Sequence, residues 1–234
     1  MNVSVSLISY NGEKYIKQQI ESILKQLDKE DELVISDDGS QDKTIEYVRS
    51  FNDPRIRIII NRIHGITNNV ENALKECKNE VIILADQDDI WMPYKVKKIK
   101  DIFERKNVTA ILHDKQVVNR NLIPIAEKRK RLYKSLLLNI IKNNFQGSCM
   151  AIRKEMLHLI FPIPKDIPMY DQWIGCINQI YGKTEIIQEK LILYRRHEET
   201  VTGKKNCFLI KVKYRKILIY EILMRIFNSR NKHA

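Results

Sequence analysis

The chain has 234 residues, with 41 Lys/Arg against 29 Asp/Glu, a formal net charge of +12, 44% hydrophobic and 30% charged residues. That balance excludes a chain disordered throughout, and the length suits one α/β domain with a sizeable core and a small appendage. No run of ~20 apolar residues occurs, so no spanning helix is expected. The opening residues, Met1 to Gly12, lack a basic flank followed by an apolar run, and no secretory leader is expected. Cys77, Cys149, Cys176 and Cys207 stand apart with no CxxC spacing, which suits reduced thiols in a cytoplasmic protein rather than a zinc site or disulfide framework.

Val3, Val5 and Leu7 alternate with serines, a strand pattern, and Asn11-Gly12 turns the chain. Ile16, Ile20, Ile23, Leu24 and Leu27 follow at helical spacing. Leu33-Val34-Ile35 reads as a strand, and Ile45 and Val48 as a helix face with Asp42 as its N-cap. Ile56 to Ile60 is a strand; Val70, Ala73, Leu74 and Cys77 line a helix. Val81 to Leu84 has the composition of a strand buried on both faces, and Pro93 opens a helix carrying Val96, Ile99, Ile102 and Phe103. This alternation predicts a doubly wound, mostly parallel sheet. Beyond Thr109 the pattern loosens. Short strands are expected at 110–112, 116–118 and 148–152, a helix over 170–181, one or two strands over 186–194, and a helix over 207–227.

Two acidic clusters, Ser36-Asp37-Asp38-Gly39-Ser40 and Asp86-Gln87-Asp88-Asp89, each follow an aliphatic strand. In open α/β sheets ligands bind outside the carboxyl ends of the strands, where both clusters fall. Paired carboxylates such as Asp86 and Asp88 suit Mg²⁺ or Mn²⁺, which combine protein carboxylates with substrate phosphates. The same residue types also build ordinary Asx turns and helix caps.

Six segments in order make a specific match: Ser9-Tyr10-Asn11, Ser36 to Asp42, Asp86-Gln87-Asp88-Asp89-Ile90-Trp91, Gly147 to Met150, Tyr170-Asp171-Gln172-Trp173 and Tyr194-Arg195-Arg196-His197. Through them the chain, from Val3 to about Gly203, resembles the family 2 glycosyltransferases, nearest to bacterial rhamnosyltransferase-like members. The resemblance implies a Rossmann-like GT-A domain over 1–205, a basic helical extension over 206–234, and inverting sugar transfer. The donor would be a nucleoside diphosphate sugar on UDP or dTDP (dTDP-rhamnose or a UDP-hexose). The acceptor would be a saccharide, free or polyprenyl-linked, in bacterial surface polysaccharide synthesis.

Carried over residue by residue, the resemblance implies that Asp37, beside Asp38, reads the base imide and that Ser9, Tyr10 and Asn11 hold base and ribose. Gly65, Asn69 and Gln87 border the same nucleotide site. Asp86 and Asp88 would grip the metal, with His197 near it or the phosphate. Asp171 would be the catalytic base, which could equally be a helix N-cap. Arg195, Arg196 and His197 would form a loop over the diphosphate, and Trp91 and Trp173 would line the sugar or acceptor pocket or else belong to the core. The family's frequent Glu-Asp pair is Tyr170-Asp171 here, leaving a single carboxylate.

From Lys204 onward nine Lys/Arg face one Glu, and a second basic knot is Lys128 to Arg131. Such charge suits either a solvated face or peripheral contact with anionic membrane at the inner face of the plasma membrane. Two rival functions remain: a sugar nucleotidyltransferase, which usually opens with a Gly-rich basic loop that Ser9-Tyr10-Asn11-Gly12 does not provide, and a basic nucleic-acid-binding module. No recognition signature for the latter is present, and no nucleic acid partner is expected.

Overall fold

A computed structural model describes residues 1–126, 132–198 and 207–231. In chain order the elements are β1 (Val3–Ser9), α1 (Ile16–Leu24), β2 (Glu32–Asp37), α2 (Thr44–Ser50), β3 (Ile56–Ile60), α3 (Ile66–Glu76), β4 (Val81–Asp86) and β5 (Ile90–Trp91). There follow α4 (Lys95–Arg105), β6 (Ala110–Asn119), α5 (Leu136–Ile141), β7 (Met150–Arg153), α6 (Leu157–Ile160), α7 (Tyr170–Tyr181), β8 (Thr184–Arg196) and α8 (Phe208–Asn231).

The strands form one eight-stranded sheet in the order β3-β2-β1-β4-β7-β6-β8-β5. Its first half is parallel as expected: β1 pairs with β2 and β4, and β2 with β3, all in the same direction. From β4 outward the sheet becomes mixed, because β7 runs antiparallel to both β4 and β6. β8 then pairs parallel with β6, and β5 antiparallel with β8.

Periodicity located the first half well, since each helix must bury one face on the sheet. Ile16, Ile20 and Ile23 of α1, Leu74 of α3 and Ile99 of α4 are fully buried with Leu7, Ile35 and Ile83 of the strands. β1 is enclosed on both faces, so Ser4 and Ser6 of its alternating pattern are buried too; Ser4 Oγ donates to Glu32 at 2.6 Å.

The second half departs from the sequence reading in detail. The two strands expected at 110–112 and 116–118 are one continuous β6, whose register shifts between His113 and Gln116 account for the break in alternation. The strand expected at 148–152 begins as a 3₁₀ turn at Gly147–Cys149 before β7. Asp42 is not the residue immediately before α2, yet its carboxylate caps that turn by accepting from Thr44 N at 2.9 Å.

α8 packs on the domain through one face. Leu218 and Ile222 are buried, Ser229 Oγ lies 2.8 Å from Tyr181 Oη, and the Arg225 guanidinium donates to the carbonyls of Leu159, Phe161 and Pro162. Among the described residues no helix is long and apolar enough to cross a membrane. Cys77, Cys149, Cys176 and Cys207 are free thiols, the first three buried. The basic knot at 128–131 and the expected boundary at 205/206 lie outside the described residues.

Candidate active site

The carboxyl ends of β1 and β2 lie side by side, with Ser9 opposite Asp37. Asp37 is almost wholly buried, and its carboxylate accepts from Ser9 Oγ (2.7 Å), Gly39 N (3.1 Å), Ser40 N (2.7 Å) and Ser40 Oγ (2.6 Å). Four donors on one carboxylate make Asp37 the organiser of a turn in which Gly39 takes φ +85°, a region that favours glycine. Asp38 points elsewhere and is partly exposed. Its oxygens accept from Asn61 Nδ2 (2.6 Å) and Gly65 N (3.0 Å), one donor each. Gly65, at φ +122°, starts α3, and Asn69 one turn later donates to Ser9 O at 3.2 Å.

Gln87 joins this corner to the second acidic cluster. Its amide grips the Tyr10 backbone at both ends, Tyr10 N donating to Oε1 and Nε2 donating to Tyr10 O, each at 2.9 Å. The approach is close enough that a Cβ on Gly12 would fall 2.2 Å from Gln87 Oε1. Asn11 braces the loop through Ser40 Oγ (2.8 Å) and Gln41 N (2.9 Å). The Tyr10 side chain is left 53% exposed above this scaffold.

β4 carries Asp86 to the rim of the sheet, and the following turn presents Asp88. The end of β8 comes back across this turn: His197 Nε2 lies 2.8 Å from Asp88 Oδ2, and the imidazole packs on Tyr15 with ring centroids 4.7 Å apart. Burial, and then the charges of Asp88 and Asp171, push the Asp86 carboxyl up to about 7. Asp171 thus joins Asp86 and Asp88 in one cluster of like charge, which Lys95 and Lys115 offset only in part and which favours a cation. Among the described residues no three or more His, Cys, Asp or Glu converge closely enough to hold a metal ion by themselves. Only Asp88 and His197 are in contact; with Asp86 nearby they are oxygen and imidazole donors of the kind Mg²⁺ or Mn²⁺ accepts when substrate phosphate supplies the remaining ligands.

Asp171 lies in the first turn of α7, and it does not cap the helix. Its Oδ1 accepts from Gln172 N (2.6 Å) and Asn143 Nδ2 (3.3 Å). Burial raises its carboxyl to about 6, against the opposing pull of those donors and of Lys115. Tyr170, in place of a second acid, packs its hydroxyl so tightly on Gly147 that a Cβ there would lie 2.2 Å away.

Of the two readings open for Trp173 and Trp91 the structure favours the core, and the loop expected at Arg195 and Arg196 needs correction. Trp173 is fully buried, donates from Nε1 to Ile160 O at 3.0 Å, and sits beneath the Arg225 guanidinium; it is core, because α7 turns that side inward. Trp91 is likewise buried, with the Lys95 ammonium 4.2 Å from its ring centre. Both belong to the core. Arg195 and Arg196 belong to the end of β8 rather than to a loop, and the buried Arg195 is structural. Its guanidinium donates to Asp88 O, Arg120 O and Gln18 Oε1, and its N–H to Asp89 Oδ1, so it fixes the metal-side turn from behind. Arg196 and His197 instead line an open cleft of about 990 Å³ with Lys14, Tyr15 and Arg120. A second depression, at the amino ends of the strands, holds paired charges such as Arg55 with Asp53 (2.7 Å).

The sequence reading missed the support behind the site. Lys95 is fully buried and donates to Ser148 O at 2.9 Å; burial brings its pKa down to about 7. Asp89 is buried as well, and burial followed by the charges of Asp88 and Asp86 raises its carboxyl well above the usual range. Only Lys95 gave a signal, as a lysine on the apolar face of α4.

The family model for glycosyl transferase family 2 matches residues 4–161. The chain belongs to that family. WfgD of Escherichia coli, a UDP-Glc:alpha-D-GlcNAc-diphosphoundecaprenol beta-1,3-glucosyltransferase, is 32% identical over 140 residues, 58% of this chain and 55% of WfgD. The dTDP-rhamnosyl transferase RfbG of Shigella flexneri is 27% identical over 233 residues, 90% of this chain and 78% of RfbG. Thus the chain spans little more than half the length of one of these relatives. Among solved structures, S. aureus TarS 1-349 in complex with UDP-GlcNAc has a TM-score of 0.75 at 19% identity, covering 94% of this chain and 66% of TarS. Glucosyl-3-phosphoglycerate synthase of Mycobacterium tuberculosis, in complex with Mn²⁺, UDP and phosphoglyceric acid, has a TM-score of 0.61 at 17% identity, covering 96% and 78%. At these identities the likeness carries the fold, which is the GT-A architecture expected from the six motifs.

Proposed function

We propose that this domain transfers a sugar, with inversion, from a pyrimidine nucleoside diphosphate to a saccharide acceptor, the base reader being Asp38 and the catalytic base Asp171. The observation that supports the reading most strongly is the gathering of Asp86, Asp88 and Asp171 at the carboxyl ends of the strands, close enough that Asp171 raises the Asp86 pKa.

Asp38 takes the base-reading role because the Asp37 oxygens are already filled by four donors, whereas each Asp38 oxygen keeps acceptor capacity for an imide N–H. The exposed Tyr10 ring, held by Gln87, offers a face for the pyrimidine. Asp86, Asp88 and His197 would hold Mg²⁺ or Mn²⁺ beside the donor diphosphate. A bound divalent ion supplies positive charge to the departing phosphate oxygen. Asp171 takes the proton of the acceptor hydroxyl as that oxygen bonds to the anomeric carbon and the carbon–phosphate-oxygen bond breaks. Both of its hydrogen-bond donors fall on Oδ1, which leaves Oδ2 for that proton. A carboxyl held near 6 is ionised at neutral pH yet more basic than a solvated one, as a general base needs.

The names of WfgD and RfbG favour surface-polysaccharide synthesis, on UDP-glucose or dTDP-rhamnose, with a lipid diphosphate acceptor in the first case. A thermal-shift series with UDP, dTDP, GDP and CDP, each with and without Mn²⁺, tests the donor site. Stabilisation by a pyrimidine diphosphate that needs the metal and disappears in Asp88→Ala is expected. No shift with any of the four would overturn the assignment, and would reopen the nucleic-acid-binding alternative.

A further inference from the structure

α8 is apolar on two opposite faces, and only one of them is used. Leu218, Ile222, Arg225 and Ser229, spaced by four, three and four residues, face the domain and fix the helix on it. The opposite stripe follows the same spacing: Leu209, Lys213, Lys216, Tyr220, Leu223 and Phe227. Along it Leu209 is 75% exposed, Leu223 60% and Phe227 61%. This outer stripe therefore mixes exposed apolar side chains with two lysines. The inner face is built from specific hydrogen bonds, so the outer stripe is held in position.

The surface continues beyond α8. Arg215 Nε donates to Ile141 O at 3.1 Å, which ties the helix to α5, where Leu137, Leu138 and Ile141 are all exposed. No acidic residue lies on the outer stripe; Glu221, the single acid of α8, is half-buried at its side.

We infer that this combined face of α8 and α5 docks on an anionic lipid bilayer. Charge decides between the occupants. A second copy pairing along the stripe would bury Lys213 and Lys216 in an apolar seam with no carboxylate to meet them. At a bilayer surface their stems lie among the apolar side chains while the ammonium groups reach lipid phosphates. The chain's net charge of +12 adds long-range attraction to the same surface.

The location also matters to catalysis, and this part rests on the role proposed for Asp171. Asn143, two residues past Ile141, donates to Asp171. The apolar face of α5 therefore borders the acceptor side of the site, so a saccharide carried on a lipid anchor would arrive at Asp171 from the membrane on which the domain rests.

Co-sedimentation with vesicles of phosphatidylcholine, with and without phosphatidylglycerol, tests the docking. Full-length protein should pellet with the anionic vesicles only, and raised salt should release it. The double variant Leu223→Glu/Phe227→Glu should abolish pelleting. Lys213→Glu/Lys216→Glu should weaken it about tenfold or more. All of these positions are exposed, so both variants should keep the wild-type unfolding temperature and the metal-dependent nucleotide shift. Vesicle binding lost while that shift is retained isolates the docking surface from the donor site. Pelleting that ignores lipid charge, pelleting unchanged in both variants, or a solution dimer dissociated by Leu223→Glu/Phe227→Glu would each overturn the inference.

Discussion

Asp37, at the end of β2, is buried, whereas Asp171, in the first turn of α7, keeps some exposure, and their hydrogen-bonding surroundings differ as sharply. Asp37 is surrounded by four donors from its own turn and from Ser9, so its charge is spent on shaping the loop. Asp171 has two donors on one oxygen, and burial lifts its carboxyl to about 6. The parallel half of the sheet thus supplies an internally satisfied cradle, and α7 brings the carboxylate proposed as the base, with one oxygen left without a donor. Four donors against two separate these acids.

That contrast can be broken by experiment. Asp171→Asn should reduce transfer by about 10²–10⁴-fold while nucleotide affinity stays within error, measured by steady-state kinetics and calorimetry. Trp173→Ala should cost about 3–5 kcal/mol in denaturant unfolding, as a core aromatic does, rather than raise only the acceptor KM. Asp88→Ala should weaken metal-dependent nucleotide binding by about 10–100-fold, titrated with Mn²⁺ present. The rate should also follow the ionised base. Because the Asp171 carboxyl is raised to about 6, transfer should be full above that pH and fall about tenfold per unit below it. An acid limb near pH 4 would show a solvated carboxylate instead. The smallest effect is expected for Asn143→Leu: losing one neutral donor destabilises the carboxylate, so the acid limb should move up by about 0.5–1 unit.

The parallel half was legible because each of its motifs follows a strand whose periodicity is plain. Leu33-Val34-Ile35 delivers Asp37 and Asp38, and Val81 to Leu84 delivers Asp86, so pattern and motif fix each other. What could not be read was how neighbouring carboxylates divide their work. Asp37 and Asp38 differ by the direction of one side chain, which depends on Ser9, Asn61 and Gly65 from three other segments. In the mixed half the bulges near His113 disguised one long strand as two. Trp173 could not be assigned to pocket or core because nothing in the sequence shows that α8 returns to set Arg225 over it. Lys95 and Arg195 were hidden for a related reason: a buried charge is recognised only with its partners, and theirs lie far away in sequence, at Ser148 for one and at Gln18 and Asp88 for the other.

The central claim is that nucleotide and metal are held by one set of carboxylates while a separate one accepts the proton. Calorimetric titration of the preferred pyrimidine diphosphate with Mn²⁺, into wild type, Asp88→Ala and Asp171→Asn side by side, addresses it most directly. Wild-type affinity in Asp171→Asn together with a large loss in Asp88→Ala is the result expected. Equal loss in both variants, or full affinity in Asp88→Ala, would contradict the division of labour.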